Sequence, residues 1–108
     1  MSKSLCAKTR QKTWEKLPGR CWYCGRELTY AGMYVEHQTP RRRGGGSRIE
    51  NLVPACTLCN NRKGSRTVAE FRQDILDRFR RRASEYGQAI ITPLPETVVF
   101  YGELPRHE

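Results

Sequence analysis

The sequence predicts a small α+β fold held together by a metal ion. Three observations predict it. Four cysteines form two identical pairs, Cys21-x-x-Cys24 and Cys56-x-x-Cys59. Two short β-favouring runs, Met33-Tyr34-Val35 and Asn51-Leu52-Val53-Pro54-Ala55, lie between those pairs. Beyond them, Val68, Phe71, Ile75, Phe79, Ala83 and Tyr86 recur at intervals of three or four and mark a long amphipathic helix.

A chain of 108 residues makes one small domain with a modest apolar core, so it needs a staple. Thiolates two residues apart can both reach one tetrahedral zinc, and two such pairs close its shell. Disulfides would do this work in a secreted protein. Met1 to Lys12 is polar and lysine-rich, without the apolar run of a signal peptide, and no run is long enough to span a membrane. A reduced intracellular compartment and metal-binding cysteines are expected. Cys6 stands apart as a spare thiol.

Lys and Arg number 20 against 11 Asp and Glu, for a net charge of +9 and a pI near 9.8. That balance predicts a polyanionic partner, with nucleic acid the first candidate. The positive residues cluster: Arg41, Arg42 and Arg43, then Arg62, Lys63 and Arg66, then Arg78, Arg80, Arg81 and Arg82. No segment pairs such charges with an exposed aromatic face, which disfavours a membrane surface.

Along the chain, residues 1–17 predict a short basic helix anchored by Trp14 and Leu17 and stopped by Pro18-Gly19. Cysteines 21 and 24 form a first knuckle, with Gly25 at its tight turn. The strand at 33–35 delivers Glu36 and His37 at its end. Consecutive strand side chains point to opposite faces, so these two act together only where the strand twists or stops. Arg41 to Arg48 is a loop that Gly44, Gly45 and Gly46 make pliable enough for close approach to a phosphate. The second strand carries Pro54, which suits an edge. Thr57 to Lys63 predicts a short helix ended by Gly64. Thr67 to Glu70 has the form of a capping box opening the long helix, with Arg72, Arg80 and Arg81 on its solvated face. Ala89–Thr92 and Thr97–Tyr101 predict a terminal hairpin.

Glu36-His37, Asn51 and Cys59-Asn60-Asn61-Arg62-Lys63, bracketed by the cysteine pairs, resemble the HNH endonuclease family with its ββα-metal fold. The four-cysteine form is similar to the core of the phage endonuclease VII type. The resemblance spans about Cys21 to Gly64. It implies residues 18–66 as a zinc-stapled core; outside it, the residue pattern predicts the basic helix at 1–17, the amphipathic helix at 67–86 and the hairpin or tail at 87–108 of one single domain. The resemblance implies that His37 is the general base and that Asn51 tethers the loop that orients it. It places Glu36 and Asn60 on a catalytic divalent cation, though the family more often has Asp or His at the Glu36 position. One carboxylate and one amide oxygen suit Mg2+ or Mn2+ better than zinc. Lys63 matches a frequent family lysine and becomes a candidate phosphate ligand; charge alone adds Arg62, with Arg66 and Arg41 to Arg43 gripping the DNA backbone.

The implied activity is hydrolysis of DNA phosphodiesters to 5′-phosphate and 3′-hydroxyl ends, in the cytoplasm of a bacterium or of a phage's host. One site per chain would nick, which leaves room for a homodimer or a larger recognition or packaging partner. A non-catalytic zinc-ribbon-like nucleic-acid-binding module, or a phage assembly accessory protein, would share the cysteines and the charge. Neither needs Glu36-His37 and Asn60 in place.

Overall fold

The computed structural model describes residues 6–86 and 97–105, with the backbone alone at 84–86. The elements in chain order are α1 (Ala7–Lys16), β1 (Tyr34–His37), β2 (Leu52–Ala55), α2 (Thr57–Lys63) and α3 (Val68–Tyr86). Single 3-10 turns stand at Arg41–Arg43, Ile49–Asn51 and Tyr101–Glu103.

The strands pair antiparallel, with Tyr34 opposite Ala55, Val35 opposite Pro54, Glu36 opposite Val53 and His37 opposite Leu52. Residues directly opposite share a face of the sheet. On one face Val35 and Leu52 join Met33, and Trp14 of α1 packs over them. On the other, Val53 and Ala55 join three of the cysteines, Tyr23, Phe71 and Phe100. A two-stranded ribbon is marginal alone, and here both faces are covered. Pro54 is tolerated because its carbonyl points away from β1 and accepts the Trp22 N–H at 2.8 Å. Its missing N–H falls on that same outer side.

From α1, the Lys16 ammonium donates to the carbonyls of Ile49 and Leu52, both at 2.6 Å. The helix thereby grips the turn that leads into β2. α2 begins at Cys56, whose sulphur accepts the Cys59 N–H at 3.4 Å, and ends before Gly64 as the sequence predicts. The capping box of α3 is formed: Thr67 Oγ1 accepts the Glu70 N–H at 3.2 Å, and Glu70 Oε1 accepts the Thr67 N–H at 3.0 Å.

The predicted apolar stripe of α3 reaches the core over its first turns only. Phe71 and Leu76 are buried, Val68 and Ile75 partly so, but Phe79 is 53% exposed. The partners of this helix, Tyr23 and Phe100, gather around Phe71 at ring separations of 5.3 and 5.4 Å. They meet the helix a full two turns before Phe79.

The predicted terminal hairpin is corrected. Its first strand, 89–92, lies outside the described residues. Residues 97–100 form no strand; they run as irregular chain into the turn at Tyr101–Glu103. This segment docks on the first knuckle, where Tyr101 N–H donates to Tyr23 O (3.2 Å) and Gly102 N–H to Trp22 O (2.7 Å). At Gly25 the backbone has φ +80°, and a Cβ would stand 2.5 Å from the Tyr101 ring. Arg72 also leaves the solvated face assigned to it. Its guanidinium donates to both carboxylate oxygens of Glu103 (2.7 and 2.6 Å) and lies 4.7 Å from the centre of the Phe100 ring. Among the described residues no helix is long and apolar enough to cross a membrane.

Phe100 is 2% exposed and stacks on Phe71, so this segment is part of the core. Truncating Phe100→Ala is predicted to cost about 3–5 kcal/mol of stability in urea unfolding. A loss under about 0.5 kcal/mol, the size of an ordinary surface change, would show that the segment does not brace the knuckle.

Candidate active site

The sulphur atoms of Cys21, Cys24, Cys56 and Cys59 lie within 4.8 Å of one another. Cys24 Sγ and Cys56 Sγ are 3.8 Å apart, the edge expected of a tetrahedron with sulphur about 2.3 Å from its centre. The Cys56 N–H donates to Cys21 Sγ at 3.4 Å. The Cys59 thiol, with backbone N–H groups, brings Cys21 down to about 4, while the Cys21 thiolate pushes Cys59 up and burial pushes Cys24 up. Four thiols this close cannot all ionise unaided; a divalent cation relieves the conflict. The four cysteines are positioned to bind one metal ion, and the closed sulphur set fits structural zinc.

Tyr23, between the first two cysteines, leads from this centre to the next. Its hydroxyl donates to Glu36 Oε1 at 3.1 Å. The Lys63 ammonium meets the same oxygen at 3.0 Å and also donates to the His37 carbonyl at 2.9 Å. Lys63 is fully buried, and the Glu36 side chain is 7% exposed. Burial pushes the Glu36 carboxyl up, and Lys63 and then Tyr23 pull it back. Lys63 is therefore corrected as a phosphate ligand: its charge is spent inward, on a carboxylate and a carbonyl. Asn60 stands three residues earlier on α2, half-buried, and so on the same side of the helix as Lys63. That is the side that meets β1.

His37 is the last residue of β1, paired with Leu52. Its Nε2 lies 3.2 Å from Ser47 Oγ. Burial, then the charges of Arg41 and Lys63, lower its pKa and favour the neutral ring. Asn51 spans the intervening loop. Its Nδ2 donates to Thr39 O (3.0 Å) and Gly46 O (2.8 Å), and its Oδ1 accepts the Thr39 N–H (2.9 Å). One side chain thus closes both ends of the loop that carries Ser47. Gly45 sits inside that closure, where a Cβ would fall 1.7 Å from the Thr39 carbonyl oxygen.

The basic residues divide. Arg41, Arg42, Arg62 and Arg66 are exposed. Arg43 is exposed as well, but it pairs with both oxygens of Glu70 at 2.6 and 2.9 Å and moors the loop to the start of α3. Sequence reasoning missed Lys16, Tyr23 and Ser47. A serine straight after three glycines is a signal that could have found Ser47. Nothing local marks the other two, whose partners lie 13 to 36 residues away.

Residues 21–66 match the HNH endonuclease family model. Over those residues the chain is similar to HNH endonuclease domains. The four clustered cysteines, both strands, the Asn51 loop and α2 all fall within that match, while α1 and all of α3 lie outside it. A stretch of 51 residues is 37% identical to the CRISPR-associated endonuclease Cas9 of Corynebacterium diphtheriae. The match covers 46% of this chain and 5% of that protein.

The Arg43 pair gives the loop a pH dependence. Arg43, then the Thr67 N–H, hold the Glu70 carboxyl down to about 2 from an ordinary 4.5. A depressed carboxyl adds stability that is complete above pH 4.5 and lost as the pH falls through about 2. Both side chains are more than two-fifths exposed, so solvent screens the effect and it is small. Between those pH values the urea midpoint is predicted to fall more steeply for the natural chain than for Glu70→Gln. Parallel declines would refute the linkage.

Proposed function

We propose that this chain is a metal-dependent DNA endonuclease. His37 activates water, and Glu36 and Asn60 hold a divalent cation, Mg2+ or Mn2+. The observation that carries this reading is the placement of His37. A ring favoured in its neutral form ends β1, next in sequence to the buried Glu36 that Lys63 of α2 meets, with Asn60 three residues before Lys63, all within the residues similar to HNH endonucleases.

The fit of the cation can be judged from the donors. Tyr23 and Lys63 both engage Oε1 of Glu36, which leaves Oε2 as the oxygen to offer. A carboxylate and an amide oxygen form a hard donor set that water and phosphate oxygens complete. When bound there, the cation supplies charge stabilisation for the phosphoryl group and the departing 3′ oxygen.

With Nε2 facing Ser47, Nδ1 of His37 is the atom that takes the proton from the attacking water. Asn51 holds the Ser47 loop and, through it, the ring, since a displaced base loses much of its rate. Attack expels the 3′ oxygen and leaves a 5′-phosphate. The exposed Arg41, Arg42, Arg62 and Arg66 grip the DNA backbone without reading sequence. Zinc is the proposed occupant of the four-cysteine centre, with no part in the chemistry.

Two outcomes are predicted. Supercoiled plasmid is nicked with Mg2+ or Mn2+, and His37→Ala lowers the rate by about 10²–10⁴-fold with zinc content unchanged. Equal nicking by both proteins, or DNA binding without nicking under every divalent cation tried, would instead favour a binding module. Complete removal of zinc is predicted to unfold the chain, because binding and folding are coupled in a small metal-stapled core. A circular-dichroism melt unchanged after full zinc removal would reject the staple.

A further inference from the structure

Tyr23 sits between two metal-binding cysteines yet reaches away from them. Its ring is 5% exposed and is met edge-on by Phe71 and Phe100 at 5.3 and 4.9 Å, both near 84°. Such packing fixes where a rigid phenol can put its hydroxyl. That hydroxyl meets Glu36 Oε1 at 3.1 Å, on the oxygen that Lys63 meets at 3.0 Å. Two donors from separate segments on one oxygen fix the rotation of the carboxylate and leave Oε2 as the oxygen they do not engage.

We propose that Tyr23 is a positioning residue for the catalytic cation: its hydroxyl holds Glu36 with Oε2 presented to the metal, and so couples the first cysteine knuckle to the second metal site. This inference rests on the reading of Glu36 as a cation ligand. A core aromatic would serve packing equally well as phenylalanine. The hydroxyl is needed only if the carboxylate must be aimed.

The test is Mn2+ titration of the zinc-loaded full chain, following free Mn2+ by electron paramagnetic resonance, with plasmid nicking in parallel. Tyr23→Phe is expected to bind Mn2+ about tenfold more weakly, the worth of one hydrogen bond to a charged group. The Mn2+ concentration for half-maximal nicking should rise by the same factor, while the rate at saturating Mn2+, the zinc content and the melting temperature stay near those of the natural chain. Unchanged Mn2+ affinity in Tyr23→Phe, with Glu36→Gln clearly weakened, would overturn the role of Tyr23 and keep that of Glu36. No Mn2+ binding, or binding that Glu36→Gln does not weaken, would overturn the cation reading and this inference with it. Tyr23→Met, which also lacks the hydroxyl, is the second variant. Loss of zinc or an early melt in both variants would make Tyr23 a packing residue only and overturn the proposal.

Discussion

The buried pairing of Lys63 with Glu36 is the contact on which the site's geometry depends. It joins the end of α2 to β1, and the same ammonium also holds the His37 carbonyl. Removing one partner of such a pair strands a charge away from water, at a cost of about 3–5 kcal/mol. That is a large share of the 5–15 kcal/mol or so that stabilises a typical domain. The pair therefore tolerates few alternatives, and it fixes the distance between the strand that carries His37 and the helix that carries Asn60.

A second lysine acts from the other side of the sheet. Lys16 of α1 binds the carbonyls of Ile49 and Leu52, which flank the residue that tethers the loop, Asn51. Two helices thus press on a two-stranded sheet, each donating one cation to backbone carbonyls or a carboxylate. The four-cysteine centre adds a third constraint by joining the first knuckle to the start of α2. The segments outside the HNH match are not appendages to this core. Phe71 of α3 and Phe100 of the tail close the aromatic cluster around Tyr23, and Tyr23 in turn touches Glu36.

Much of this was legible in local sequence. The cysteine spacing, the short strands, the stop at Gly64 and the capping box at Thr67 are set by neighbours within a few residues. Asn51 was singled out through the family resemblance, and its side chain makes three hydrogen bonds, to Thr39 and Gly46. The hairpin expected near the end was not found at 97–100. β-favouring residues there pack as irregular chain on the knuckle, because burial of Phe100 outweighed strand preference.

The destinations of the charges are what sequence reasoning misjudged. Lys63 read as a phosphate ligand and Arg72 as a solvated cation, and each is bound by an acidic or carbonyl partner 26 to 31 residues away. A charge goes to whichever partner the fold brings near, and no local pattern encodes that distance. By itself the sequence determined the metal-binding pairs, the histidine beside a carboxylate and the ends of the short elements. These rest on residue chemistry and on hydrogen bonds between near neighbours. Only the tertiary structure decided which cations are spent inside the protein and which remain for a partner, because that choice is made by packing between distant segments.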